Sequence, residues 1–233
     1  MAPLILIGLP GAGAGGPWLI HWNMLFARLL REYRVVCCYG MGANIYQVRN
    51  RCMPEWDKLP QQPLYMLWID SDNLVTYEAF AQLRTALQEN PGLDMVAGWA
   101  WTQDVMGDEA PKISAGYWRD GRPNNLQHHE IAEALADEEL IPVEWTGLCF
   151  ALIRASSLQL LGRQPFVPLP VQASVPEIKD MVHLLSEDES FCYLGAQAGL
   201  QFAVHPGVKV PHLKPKPIQP DADAKIEMEG SEV

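Results

Sequence analysis

Two carboxylates separated by one residue, Asp70-Ser71-Asp72, follow directly on the apolar run Leu64-Tyr65-Met66-Leu67-Trp68-Ile69. That run reads as a buried strand, so both acids fall where a strand stops, the edge at which open α/β sheets bind ligands. Oxygen donors in that setting suit Mg²⁺ or Mn²⁺, which bridge protein carboxylates to substrate phosphates and offset charge on a diphosphate leaving group. The competing reading is a pair of solvated turn acids capping the helix near Val75. A second acidic group, Glu187-Asp188-Glu189, follows Ser186. Ser186 and Glu189 have capping-box spacing, and acids favour a helix's first turn. Three like charges so close also raise the proton affinity of one member, which suits a general base; the two readings are compatible.

A third candidate is Gly11-Ala12-Gly13-Ala14-Gly15-Gly16, which satisfies G-x-G-x-x-G between a strand and a helix. A dinucleotide site also asks for an acid at the end of the second strand, where this chain has Cys37-Cys38-Tyr39-Gly40. A P-loop is excluded because Pro17-Trp18 stands where Gly-Lys-Ser/Thr is required. An NAD(P)-dependent oxidoreductase using this loop stays as a rival, beside a flexible loop whose glycines let backbone approach a ligand.

The elements that must position these groups follow an α/β rhythm. Strands are expected over 4–9, 34–38, 64–69 and 95–101, with helices over 18–33, about 43–58 and 77–89; Pro54 breaks or kinks the second helix. Beyond Thr102 the rhythm loosens into a substrate-facing excursion anchored by Ile113, Tyr117 and Trp118, with a turn over 121–125 and a short helix over 130–136. Regularity returns with a strand over 143–153, helices over 156–161 and near 187–198, and short closing strands at 202–204 and 208–210. Trp99 and Trp101 alternate along one strand and share a face, which is read as core packing.

With these motifs in order, the chain resembles the family 2 glycosyltransferases of the GT-A fold, especially compact, soluble phage and bacterial members. The matching residues are Leu4-Ile5-Leu6-Ile7-Gly8-Leu9-Pro10, Asn44-Ile45 through Arg49-Asn50, Leu67-Trp68-Ile69-Asp70-Ser71-Asp72, Thr146-Gly147-Leu148-Cys149-Phe150-Ala151-Leu152-Ile153-Arg154, Ser186-Glu187-Asp188-Glu189-Ser190-Phe191-Cys192 and Val208-Lys209-Val210-Pro211-His212. The resemblance implies a three-layer, Rossmann-like α/β sandwich with a mixed, mostly parallel central sheet. It implies one domain over 1–219, with a nucleotide-binding half of about 1–102 and an acceptor-side half of about 103–219. The activity implied is transfer of a hexose from a nucleoside-diphosphate sugar, a UDP-sugar foremost, with Mn²⁺ or Mg²⁺.

Residue by residue, the resemblance makes Asp72 the main metal ligand, Asp70 a ligand or ribose contact, and His212 a third ligand. It assigns Pro10, Arg49 and Asn50 to the donor site, with a structural salt bridge as the other reading of Arg49. Asp188 becomes the general base of an inverting transfer, with Glu187 orienting it or binding the acceptor. Gly147 allows close backbone approach beside the acceptor, and Trp145 offers an aromatic face to a sugar or packs in the core. The acceptor is a hydroxyl of a glycan, a protein, a small molecule or a modified base of phage DNA.

The 233 residues, 48% hydrophobic and 19% charged, suffice for one large core. A formal charge of -11 argues against binding driven by a phosphate backbone. Residues 220–233 carry five acids and one lysine, and read as a disordered acidic tail. Five cysteines without paired C-x-x-C spacing exclude a disulfide framework and a structural zinc site. No apolar run approaches the roughly 20 residues of a membrane span, and the start reads as a strand rather than a signal peptide, so a cytoplasmic protein (host cytoplasm if phage-encoded) is expected. The Gln-Arg-x-x-Arg-Trp-type motif of polymer-making relatives is missing, which points to single transfers. A non-catalytic nucleotide-sugar binder is the remaining alternative.

Overall fold

The computed structural model describes residues 2–11, 18–102, 111–170 and 184–211. Along the first hundred residues β1 (Leu4–Pro10), α1 (Trp18–Glu32), β2 (Arg34–Gly40), α2 (Ile45–Arg51), β3 (Pro63–Ile69), α3 (Tyr77–Glu89) and β4 (Met95–Trp99) alternate. Then come β5 (Trp101–Thr102), β6 (Lys112–Ile113), β7 (Ala115–Arg119), β8 (Arg122–Asn125), α4 (His128–Ala136), β9 (Ile141–Val143) and β10 (Trp145–Thr146). The chain continues with β11 (Phe150–Arg154), α5 (Ala155–Leu160), α6 (Glu187–Gln197) and β12 (Phe202–Lys209).

The main sheet has seven strands in the order β2-β1-β3-β11-β4-β12-β9. β1 runs parallel to β2 and β3, and β12 parallel to β4. β11 is antiparallel to both β3 and β4, and β9 to β12, so only those two strands oppose the rest. This is the mixed, mostly parallel sheet of the expected α/β class.

Side-chain alternation on β3 separates the two faces. Tyr65, Leu67 and Ile69 pack with Leu25 and Leu29 of α1 and Phe80 and Leu83 of α3. Met66 and Trp68 pack on the opposite face with Ile131 of α4, Leu158 of α5 and Phe191 of α6. Helices therefore cover both faces, giving three layers. Asp70 has the parity of Met66 and Trp68, and so leaves the strand toward the α2 and α6 side.

Several expected boundaries are corrected, each for a local reason. The second helix stops at Arg51, because Pro54 disfavours helical backbone before it, and a 3-10 turn at Trp56–Lys58 follows. Its start is fixed by Asn44, whose side-chain oxygen accepts from the Gln47 N–H at 3.2 Å. The apolar stretch 143–153 is three strands in two sheets: β10 pairs with β7, whereas β11 enters the main sheet. The strand expected over 95–101 divides at Ala100, whose N–H donates to Ser114 Oγ at 3.0 Å. The turn expected over 121–125 lies instead at Asp120-Gly121, both with positive φ (52° and 73°), as a two-residue hairpin requires. Residues 122–125 form β8, an edge strand that tolerates Pro123. The two closing strands are one, β12, with a register shift between Val204 and Lys209. The glycine loop beyond Gly11, His212 and the acidic tail lie outside the described residues.

One close approach matters for the site. Gly40 ends β2 directly under α2, where a Cβ would lie 1.9 Å from the Val48 carbonyl oxygen. Gly40→Ala must therefore displace α2 and is expected to cost about 2–4 kcal/mol, at or above the usual range for overpacking. Gly92→Ala, where a Cβ meets nothing within 4 Å, is expected to stay within about 0.5 kcal/mol of the parent. Paired urea denaturation curves check both.

Candidate functional site

Four of the residues singled out from the sequence converge on one buried guanidinium. Arg49, on the inner face of α2, has a side chain only 2% exposed. Its Nη1 donates to Asp70 Oδ1 at 2.6 Å and its Nη2 to Asp70 Oδ2 at 3.2 Å, a two-pronged pair. Nη2 also reaches Glu187 Oε1 at 3.4 Å and lies 3.1 Å from Asp188 Oδ1. Trp68 on β3 forms the floor, with the Arg49 guanidinium carbon 5.5 Å from its ring centroid. Trp68 packs edge-on against Phe166, which stacks on Phe191 of α6 at 5.0 Å. Tyr46 of α2 donates its hydroxyl to the Leu185 carbonyl just before α6, drawing the two helices together.

The start of α6 is set by Ser186. Its Oγ accepts from the Glu189 N–H at 3.3 Å, and Glu189 Oε2 accepts from the Ser186 N–H at 2.8 Å, a complete capping box. Glu189 is thereby occupied, while Glu187 and Asp188 turn to Arg49. Asp188 Oδ2 accepts from the Leu148 backbone N–H at 3.0 Å. Its Oδ1, although near Nη2, has no aligned hydrogen bond.

Charge is unevenly distributed here. Burial works against the Arg49 cation, but Asp188, Asp70 and Glu187 outweigh it and hold its pKa above the ordinary range. Three carboxylates against one cation leave an excess of negative charge. Burial pushes the Asp188 carboxyl up to about 7; Arg49 opposes this, Glu187 and Asp70 add to it, and the Leu148 N–H counteracts. Burial likewise raises Asp70 above the usual carboxylate range despite Arg49, with Asp72 and Glu187 adding to it.

The other candidates divide. Pro10 is buried at the end of β1, beside Gly11, whose N–H donates to the Gly40 carbonyl at 2.8 Å and which sits next to Ser71. Asp72 is half-buried, and its side chain makes no ion pair or hydrogen bond among the described residues. Pro211, the last described residue, accepts from the Leu74 N–H at 3.0 Å, two positions after Asp72. Asn50 points away from Asp70: its amide donates to the Phe166 carbonyl at 2.7 Å and accepts from the Phe166 N–H at 3.1 Å. Trp145 is buried in the core, its Nε1 donating to the Tyr117 carbonyl at 3.2 Å. Gly147 donates to the Ser114 carbonyl at 2.6 Å, and a Cβ there would meet Ser114 at 3.2 Å. Trp99 and Trp101 touch edge to face at 5.8 Å. The Leu148 N–H and the Trp68 platform were not singled out from the sequence. A backbone donor leaves no residue-type signal, and Trp68 is marked only by its parity with Asp70.

Among the described residues, no cluster of three or more His, Cys, Asp or Glu is arranged to hold a metal ion. What they supply is Asp72, unengaged, and Asp70, whose oxygens keep further lone pairs beside Arg49. That donor set fits a dication completed by substrate phosphates rather than an all-protein cage. Among the described residues, no helix is long and apolar enough to cross a membrane.

A scan of protein-family models found no match to this chain, and a search of curated proteins found none either. Among solved structures, A197 from STIV is 13% identical over 93% of this chain and 96% of its own, with a TM-score of 0.46. GalNAc-T7 with UDP, GalNAc and Mn²⁺ is 12% identical over 93% of this chain and 45% of its own, at 0.48. A CMP:2-keto-3-deoxy-manno-octonic acid synthetase complexed with CTP is 10% identical over 87% and 88%, at 0.42. Such values assign neither ligand nor reaction to this chain.

The charge imbalance has a measurable consequence. A carboxyl whose folded pKa lies above its unfolded value of about 3.9 binds protons more tightly in the native state, so stability falls as pH rises from about 4 toward 7. Asp188→Asn is expected to raise Tm at pH 8 and to leave it unchanged at pH 4; Asp70 acts in the same direction and preserves part of the slope. Arg49→Met, which strands three buried carboxylates, is expected to cost about 3–5 kcal/mol at pH 8 and less at pH 5. Thermal unfolding across this pH range checks both variants.

Proposed function

We propose that this chain is a metal-dependent glycosyltransferase of the GT-A, family 2-like type, moving a hexose from a nucleoside-diphosphate sugar to a hydroxyl acceptor with inversion. The observation that carries the reading is the convergence on Arg49 of a strand-end carboxylate, Asp70, and a helix-start carboxylate, Asp188. They come from the nucleotide-side and acceptor-side halves of the chain, at the carboxyl edge of a mostly parallel sheet.

The donor lies over the ends of β1 and β3, with its diphosphate toward Asp72 and its sugar toward Asp188. Asp72 and Asp70 would hold Mn²⁺ or Mg²⁺, with His212, outside the described residues, as the third ligand that the resemblance implies. When bound, the ion supplies charge compensation for the departing diphosphate. Arg49 is too enclosed to reach a phosphate, and its part is to fix Asp70, Glu187 and Asp188 relative to one another. The Asp188 carboxylate, whose Oδ1 is enclosed beside Arg49 without an aligned partner, takes the acceptor hydroxyl's proton. The acceptor oxygen then bonds to the anomeric carbon as the bond from that carbon to the diphosphate oxygen breaks. The Leu148 N–H holds the other oxygen, Oδ2, and so orients the base. A proton affinity raised by burial keeps Asp188 basic enough to work near neutrality.

The test is release of nucleoside diphosphate from UDP- and GDP-sugars with Mn²⁺. Asp188→Asn is expected to lower kcat by about 10²–10⁴-fold, the usual worth of a positioned base. Asp72→Ala is expected to abolish Mn²⁺-dependent donor binding without changing Tm. The rate should rise with pH along a limb at or below about 7, because a bound dication draws the Asp188 pKa down. Full turnover in either variant would overturn the assignment.

A further inference from the structure

A cavity of about 680 Å³ lies beyond the carboxyl end of β4, its lining including Trp101, Asn124, Asn125, Gln127 and His128. That volume suits a ligand of several rings. One wall is aromatic: the Trp101 indole and His128 imidazole stack at 6.0 Å with planes 11° apart, and Trp99 braces the indole edge-on. The lining also contains three carboxamides, Asn124, Asn125 and Gln127. Asn125 and Gln127 are held by backbone, Asn125 donating to the Ile113 carbonyl at 2.6 Å and Gln127 to the Asn125 carbonyl at 3.1 Å. Asn124 makes no side-chain hydrogen bond among the described residues. Among the described residues no acidic side chain lines this cavity, and Lys112 is its one cationic lining residue.

These features select a ligand class. An apolar ligand would leave the Asn124 amide without a partner. A polyanion would require a cluster of Arg and Lys that the lining does not contain. A neutral sugar chain offers C–H faces to the aromatic wall and hydroxyls to the amides. The cavity also connects to the proposed base. Ile113 in its wall leads to Ser114, whose carbonyl accepts from Gly147, and the next residue, Leu148, holds Asp188. That chain of contacts links the cavity wall to Asp188 through two backbone hydrogen bonds.

We propose that this cavity binds a neutral oligosaccharide, the acceptor of the transfer reaction, with its growing end reaching across the Ser114–Gly147 contact to Asp188. The inference rests on the transferase reading above. The test is calorimetric titration of the full chain with maltohexaose, cellohexaose and chitohexaose, beside the matching monosaccharides and a single-stranded DNA oligonucleotide. At least one hexasaccharide should bind, and the monosaccharides and DNA should not. Asn124→Ala and Trp101→Ala should each weaken that binding about tenfold or more, from lost hydrogen bonding and stacking. Both should leave Mn²⁺-dependent UDP binding unchanged, and Asn124→Ala keeps the test valid if Trp101→Ala fails to fold. Binding of DNA in place of sugars, equal sugar binding in a folded Asn124→Ala variant, or no sugar binding at all would overturn the cavity's assignment. Hexasaccharide binding lost in the variants, with no transfer from any donor, would uphold the site while refuting the transferase reading. Transfer to a monosaccharide with unaltered rates in both variants would do the reverse.

Discussion

The arrangement depends on one guanidinium that cannot shed its charge. Arginine stays protonated even when buried, so enclosing Arg49 between α2, α6 and β3 obliges the fold to bring anions to it. It brings three, from sequence positions 70, 187 and 188. The contribution of such a network lies less in stability than in specification, since an apolar substitute of similar volume would often serve stability as well. What an apolar residue could not do is fix a strand end and a helix start in mutual register. Gly40 makes the enclosure possible by letting α2 lie against the end of β2. The Trp68, Phe166 and Phe191 rings fill the space beneath, leaving little room for water to screen the cluster.

One cation among three carboxylates also sets reactivity. Asp70 takes both prongs of Arg49, while Asp188 receives a nearby but poorly aligned charge and one backbone N–H. Burial pushes Asp188 up to about 7, against the nearby Arg49 charge and the one backbone N–H. Asp72, two residues from Asp70, adds its charge to the rise of Asp70, but its side chain makes no ion pair or hydrogen bond among the described residues. The two acids of a D-x-D motif, equivalent on paper, thus occupy different electrostatic environments. The turn that follows β3 separates them: the strand ends at Ile69, and the Asn73 N–H donates to the Asp70 carbonyl at 3.2 Å, so Asp72 does not continue the alternation that carries Asp70 to the face of Trp68 and Arg49.

Much of this was legible in the sequence because it is local. The 2.0 and 3.6 periodicities marked β1, β3, α1 and α3, the strand end marked Asp70, and the Ser186 to Glu189 spacing marked the start of α6. The resemblance added the order of the motifs and so gathered Arg49, Asp70, Glu187 and Asp188 into one set. What the sequence left open was pairing at a distance. Arg49 carried donor-site and salt-bridge readings together, and the enclosing geometry that decides its contacts arises from Gly40 and from rings contributed by residues 68, 166 and 191. Asn50, read with it, turns the other way along the helix and clamps the Phe166 backbone, which supports the floor of the site. The apolar run 143–153 hid a change of sheet, since hydrophobic residues do not reveal which neighbour they pair with. At 120–125 the Asp-Gly pair was the stronger turn signal, outweighed in the reading by the Pro-Asn-Asn that follows it.

That change of sheet is where the two halves of the molecule become one device. Residues 145–146 belong to the small sheet with β7, and residues 150–154 to the main sheet between β3 and β4. The three residues between them, 147–149, must cross from one to the other, and their backbone groups meet partners on both sides. Gly147 meets Ser114 on the cavity side, Leu148 meets Asp188 on the acidic side, and the Cys149 carbonyl accepts from the Asp70 and Asn73 nitrogens at 3.0 Å each. A displacement of this crossing would therefore alter the base, the strand-end acid and the aromatic cavity together. Backbone hydrogen bonds of such short reach cannot stretch to absorb it. The close Gly147 to Ser114 contact, which has little space for a side chain, is accordingly a joint between the two sheets, and the backbone hydrogen bonds on either side of it tie the cavity wall to Asp188.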